Sequence, residues 1–229
     1  MRKPTSKSLV LVSFVLLIAG LFGCSDKSGV TNTETISGSG TIVTENRTVD
    51  PFSGIQVTGI AHVIVTQDTV QSLKIEADDN IMSLLTTSVR NGLLVVSLKN
   101  GSYHNVTVNV YASMKSVSRL ECVGTADFSS SGEIHADSIA CIITGTGTIT
   151  LTGTVTFELV QIVGTGSIHN FNMHSGRCST IISGSGNIEV DVSQELDAVV
   201  AGTGNIVYSG NPAILRQTIS GVGNVSRRP

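Results

Sequence analysis

No tryptophan occurs in this chain of 229 residues, and six phenylalanines and three tyrosines are its whole supply of large rings. That leaves no platform on which sugar rings could stack. Charge is scarce as well, with 14% of positions Asp, Glu, Lys or Arg against a usual ~25%. The net charge of −3 gives no basic excess to hold phosphates, so nucleic acid is excluded as a partner. A coiled coil is excluded by the same figures, and the mean hydropathy of +0.28 excludes a solvated disordered chain. Glycine, by contrast, is plentiful at 24 residues. Together with abundant Thr, Ser, Val and Ile it is the composition of many short strands closed by tight turns.

The one long apolar run, Leu9 to Phe22, follows the positive residues Arg2, Lys3 and Lys7. It is short for a bilayer span and reads as the apolar region of a secretory leader. The run closes on Leu21-Phe22-Gly23-Cys24, which resembles the lipobox of bacterial lipoproteins, Phe22 being the one departure. The resemblance implies that residues 1–23 are a lipoprotein signal peptide and that Cys24 is the lipid attachment residue. The plainer alternative is an ordinary leader with a coincidental cysteine. Acyl chains on Cys24 would tether the protein to a membrane. Residues 24–35 lack large apolar groups and read as a flexible tether. By the lipoprotein sorting rule, Ser25 after the cysteine implies the outer membrane. Removing residues 1–23 takes away three positive charges and no negative one, which moves the net charge from −3 to −6.

Beyond the tether a short phrase recurs: at Gly38, Gly59, Gly124, Gly145, Gly164, Gly184, Gly202 and Gly221. From Gly124 onward the spacings are 21, 19, 20, 18 and 19 residues, the period of one β-solenoid coil. Two residues before each glycine stand Ile36, Val57, Cys122, Ile143, Ile162, Ile182, Val200 and Ile219. Two after it is always Gly or Ala, and four after it come Ile42, Val63, Phe128, Ile149, Ile168, Ile188, Ile206 and Val225. Period-two alternation puts these columns on one face and the residues between them on the other. The fold expected is all-β, a parallel β-helix or β-solenoid with coils of about 18–21 residues over 36–229. Counted from Gly38 to Gly221, 183 residues, the rod would have roughly nine coils and a length of about 43 Å. Between 65 and 114 the phrase breaks into longer irregular strands. There Asn91-Gly92 signals a hairpin, and Asp79 to Thr86 has room for a helical turn.

Phe52-Ser53-Gly54-Ile55, Val57-x-Gly59 and Val63-x-Val65 are followed by Ala77-Asp78-Asp79-Asn80, Val89-x-Asn91-Gly92-x-Leu94 and the terminal Gly-x-Gly coils. In order and spacing, over roughly 47 to 227, this resembles the head GIN domain family of autotransporter adhesins. The resemblance implies a β-solenoid on secreted or lipid-anchored bacterial proteins, and it brings no catalytic residues to this chain.

Each feature with chemistry has a plainer reading beside it. Cys122, Cys141 and Cys178 share the parity of the apolar columns and read as small buried hydrophobes rather than a disulfide or metal site. His62, His104, His135, His169 and His174 show no ligand spacing, so no metal and no cofactor are expected. Asn187, Asn205 and Asn224 recur in successive coils, either as ligand contacts or, the favoured reading, as stacked amides along the rod. Glu76, Asp78 and Asp79 are the dense acidic spot, with Glu76 and Asp78 on one side by alternation and no basic partner nearby. A solvated turn is favoured there over catalytic carboxylates. Glu189-x-Asp191 and Glu195-x-Asp197 match no calcium loop. Threonine pairs decay to Ser and Asn within two coils, which speaks against an ice-binding face.

The expectation is thus a non-enzymatic, lipid-anchored envelope rod that binds a glycan or protein ligand. Its candidate surface is Thr125, Thr146, Thr165, Ser185 and Thr203 with Asn187, Asn205 and Asn224. The alternatives are a polysaccharide lyase or hydrolase near Glu76–Asp79, and a structural envelope protein that self-associates end to end through the strand edge at Gly221–Val225.

Overall fold

The structure, a computed structural model, describes residues 35–229. The leader, Cys24 and all but the last residue of the tether lie outside the described residues. What is described is 73% strand and 2% helix, a β-solenoid of about five turns.

Strands Thr125–Ile143, Thr146–Ile162, Thr165–Ile182 and Ser185–Val200 are each one full coil. The fifth is shared by Thr203–Gly210 and Ile214–Ile219, and Val222–Arg227 begins a sixth. All stack parallel, with Thr125, Thr146, Thr165, Ser185, Thr203 and Val222 at one register position. The repeated phrase therefore marks the same point of every coil, as its spacing predicts. In the coil Thr146–Ile162, Ile149, Leu151, Val155, Val160 and Ile162 are buried, while Thr156 and Phe157 are exposed in succession. That lapse in alternation is a corner, where the strand turns and inward parity resets.

Five turns replace the nine expected, and the difference lies before Gly124. The phrase at Gly38 belongs to no coil. Thr35–Ser37 pairs with Ser102–His104, and Ile42–Asn46 runs antiparallel to Ser72–Asp78. The irregular stretch does not extend the rod in sequence order either. Gly54–Val57 and Ile60–Gln67 form a partial coil, with Arg119–Cys122 and the start of Thr125–Ile143 on one side of it. On its other side lie Leu93–Leu98 and Val108–Met114. The chain thus lays down an inner coil first, then the one outside it, and returns to build the rod away from both.

Antiparallel strands close that end. Leu85–Arg90 covers Leu93–Leu98 through the hairpin at Asn91 and Gly92, whose φ values of 51° and 74° fit the turn expected there. Ser72–Asp78 covers Val108–Met114, and the helical turn Asp79–Met82 buries Ile81 and Met82 beneath it. A solenoid needs such a cap, because its terminal coil otherwise exposes both core and strand edge.

Candidate binding surface

The outward columns are set by the same register that stacks the core. Thr125, Thr146, Thr165, Ser185 and Thr203 form one exposed file. Two residues on runs a second file, Asp127, Thr148, Ser167, Asn187, Asn205 and Asn224. Two adjacent pairs of its members bond through their side chains along the rod. Asp127 Oδ1 accepts from the Thr148 N–H at 2.9 Å and its hydroxyl at 2.6 Å. Asn187 Oδ1 accepts from the Asn205 N–H at 3.0 Å and its Nδ2 at 3.3 Å. Asn187 and Asn205 are therefore joined as a ladder, the stacking expected of amides in successive coils.

A third file escaped the sequence reading. His135, Thr154, His174, Asp191 and Ser209 occupy one register position in five successive layers. His135 Nδ1 lies 2.8 Å from Thr154 Oγ1, His174 Nδ1 lies 2.7 Å from Asp191 Oδ2, and the Ser209 hydroxyl donates to Asp191 Oδ1 at 2.5 Å. The hydroxyl serves the carboxylate and not the imidazole, so this is no nucleophile–base pair. The signal was available: these residues stand 19, 20, 17 and 18 apart, the period of the coils. Asp191 is held by this file, His169 Nδ1 lies 2.8 Å from Glu189, and Arg216 bonds both Glu195 and Asp197. All four acids of the two Glu-x-Asp pairs are thereby engaged.

Beside the third file a groove of about 670 Å³ is lined by Ser116, Ser118, His135, Asp137, Thr154 and Thr156. It exists because the partial coil leaves the stack at Gln67, so no described strand runs along that edge at Ala136–Ser138. The Gln67 carboxamide takes a strand's place at one residue. It accepts from the His135 N–H at 2.7 Å and donates to the His135 carbonyl at 3.0 Å.

The acidic spot is not the solvated turn expected. Ala77 and Asp78 are buried in succession, so the strand bends there and Glu76 and Asp78 do not share a face. Asp78, 1% exposed, accepts the N–H of Gly40 and of Thr107, each at 2.7 Å. Glu76 does have a basic partner. Lys74 Nζ lies 2.7 Å away and Tyr111 donates at 3.0 Å, and these bonds, Lys74's first, hold the Glu76 carboxyl below its ordinary range. Asp79 accepts from the Ser39 hydroxyl at 2.6 Å.

Cys122, Cys141 and Cys178 are free and buried. Cys141 and Cys178 sit two layers apart and two residues out of register, about 12 Å between Cα atoms, beyond the ~7 Å a disulfide can span. Cys122 and Cys141 are in adjacent layers but two residues out of register, about 8 Å apart. Burial pushes all three thiols up, Cys141 and Cys178 furthest. Next to the last two lies Glu158, a carboxyl with 0% exposure that the sequence reading passed over. Its Oε1 accepts from Asn170 Nδ2 at 2.6 Å.

The model of the family described as "Putative auto-transporter adhesin, head GIN domain" matches residues 51–212. Among solved structures, a putative adhesin from Bacteroides fragilis superposes with a TM-score of 0.68 at 22% identity, covering 84% of this chain and all of its own. A putative adhesin from Parabacteroides merdae gives 0.51 at 20% identity, over 85% of this chain and 99% of its own. A protein from Parabacteroides distasonis named a putative lipid binding protein gives 0.50 at 22% identity, over 86% of this chain and all of its own. Nothing among the curated proteins matches this chain.

Proposed function

The chain belongs to the head GIN domain family of auto-transporter adhesins, and from that premise we propose that it is a non-catalytic binding rod of the bacterial cell envelope. The observation that carries this reading is the stacking of outward polar files in one register through successive coils. Such a surface repeats the same hydroxyl and amide groups every ~4.8 Å, which suits a ligand that is itself extended and repetitive. In this reading Thr125, Thr146, Thr165, Ser185, Thr203 and the Asn187, Asn205 and Asn224 file contact a glycan or protein ligand. The acyl group on Cys24 fixes the rod to the outer membrane.

The same engagement argues against the lyase or hydrolase reading. Glu76, Asp78 and Asp79 are each hydrogen-bonded within the cap, where a general acid–base pair would face a substrate groove. The experiment is a glycan and polysaccharide binding screen on the soluble chain from residue 25, with mass spectrometry of every hit. Binding without cleavage is expected. Cleavage overturns the non-catalytic reading, and silence on all glycans excludes them as the ligand class and leaves a protein.

A second reading rests on the far end of the rod. All six residues of Ile214–Ile219 are exposed. Leu215 and Ile219, 38% and 44% exposed, hold the inward positions that Leu196 and Val200 fill in the layer below. Val222 is 72% exposed on the neighbouring strand. This uncovered edge supports self-association between copies. Sedimentation should then show dimers that Ile219→Lys with Val222→Lys disperses, and a strict monomer at high concentration refutes this reading.

A further inference from the structure

We propose that Glu158 makes the middle of the rod a proton-controlled weak point: the coils Thr146–Ile162 and Thr165–Ile182 stay closed while its carboxyl is protonated and loosen when that proton leaves. The argument starts from position. Ile139, Glu158, Cys178, Leu196 and Leu215 are one inward file through five layers. In three of the other four places the file carries an aliphatic side chain and in one a thiol, so Glu158 puts a carboxyl where the rod packs its core.

The groups facing that carboxyl are few. From Thr165–Ile182, Asn170 donates Nδ2 to Oε1 at 2.6 Å, and Cys178 Sγ stands 3.8 Å from Oε2. From Thr125–Ile143, Cys141 Sγ lies 3.8 Å from the same Asn170 Nδ2. Asn170 is itself fixed, because its Oδ1 accepts the Leu151 N–H at 3.0 Å, and this turns its NH₂ toward Glu158. No cation faces the pocket among the described residues, and Arg177, beside Cys178 in sequence, is on the outer side. One amide donor and one weak thiol donor suit a neutral acid. A buried carboxylate needs several donors or a cation.

Burial accordingly raises the carboxyl from 4.5 to about 7, the Asn170 and Cys178 hydrogen bonds opposing it. The two thiols are pushed well above their ordinary range and stay neutral there. An acid whose value is higher folded than unfolded leaves stability untouched below the unfolded value. Stability then falls as pH climbs from 4.5 toward 7 and levels off above the folded value. Because a solenoid's layers bind only their neighbours, relief of the buried charge requires opening of the adjacent coils and not of the whole rod.

The test is amide hydrogen exchange of the full chain, corrected for intrinsic rate, at pH 5.5 and pH 8. Opening within 146–182 should increase about 30-fold in the wild type. Glu158→Gln, neutral at every pH, should change less than about threefold over the same range. This difference also cancels whatever the outer histidines His169 and His174 contribute, since both proteins carry them. Identical profiles for the two, or a wild-type rise confined to other segments, overturn the proposal. Should Glu158→Gln fail to fold, the wild type still decides. An infrared carboxylic-acid band present at pH 6 and lost by pH 8.5 supports the proposal, and Glu158 already ionised at pH 5 ends it.

Discussion

Gly204→Ala is expected to cost about 4 kcal/mol or more and to unfold the last coils of the rod, while Gly132→Ala stays within about 0.5 kcal/mol. The contrast isolates place from residue type. A Cβ on Gly204 would fall inside the carbonyl oxygen of Gly186 in the layer below, and the φ of +152° is one that L side chains rarely adopt. A Cβ on Gly132 meets nothing within 4 Å. The obstacle at Gly204 is backbone, and a parallel ladder fixed by hydrogen bonds on both sides cannot yield it without parting the layers. Since layers bind only their neighbours, the loss should be partial. Urea unfolding should split, with an early phase of reduced m-value from residues beyond Gly202 and a later phase from the coils before it. A single transition at the wild-type midpoint would refute the steric account.

That glycine column shows what a sequence of this kind reveals. Two residues past each phrase glycine the chain has only Gly or Ala, and the structure shows why the alternatives differ. Ala61 and Ala126 occupy the earliest layers, while Gly147, Gly186 and Gly204 take φ values from +152° to +159°. The inward columns, the hairpin at Asn91-Gly92 and the helical turn near Asp79 were likewise legible, because each depends on residues close in sequence. Stacking order was not. Which layer lies above Gly54–Val57 is decided by strand pairing across dozens of residues, and a period reports faces, not neighbours. The phrase at Gly38 imitates a coil because glycine before an alternating strand also serves an antiparallel edge. Corners hid the rest. Alternation carried from Leu73 places Asp78 with Glu76, and the bend at Ala77 turns Asp78 inward instead. Glu158 follows the corner at Thr156–Phe157, where the same count fails. Only alignment with Ile139, Cys178 and Leu196 at the coil period places it inside.

Asp78→Ala is the second large effect, an expected loss of about 3 kcal/mol with the cap as its site. The carboxylate satisfies two backbone N–H groups that come from separate parts of the chain, Gly40 beside Ile42–Asn46 and Thr107 beside Val108–Met114. Removing it takes the charged acceptor from two partly buried bonds, worth roughly 1.5–3 kcal/mol each. Packing around Gly38 admits no easy replacement, since a Cβ there would already meet the Asp78 carboxyl. For a domain of this size the melting temperature should fall by about 6–12 °C. Exchange protection should drop first in Ile42–Asn46 and Ser72–Asp78, the antiparallel cover of the end. The prediction bears on function because Asp78 lies in the acidic spot on which the lyase or hydrolase alternative rests. An Asp78→Ala protein that loses binding or cleavage has lost its cap, so that variant cannot separate a rod from an enzyme. Glu76→Gln and Asp79→Asn can, since both residues keep an exposed or half-exposed side chain whose bonds lie at the surface. A binding rod should retain its ligand in both, and an enzyme that used either carboxylate should lose turnover with its fold intact.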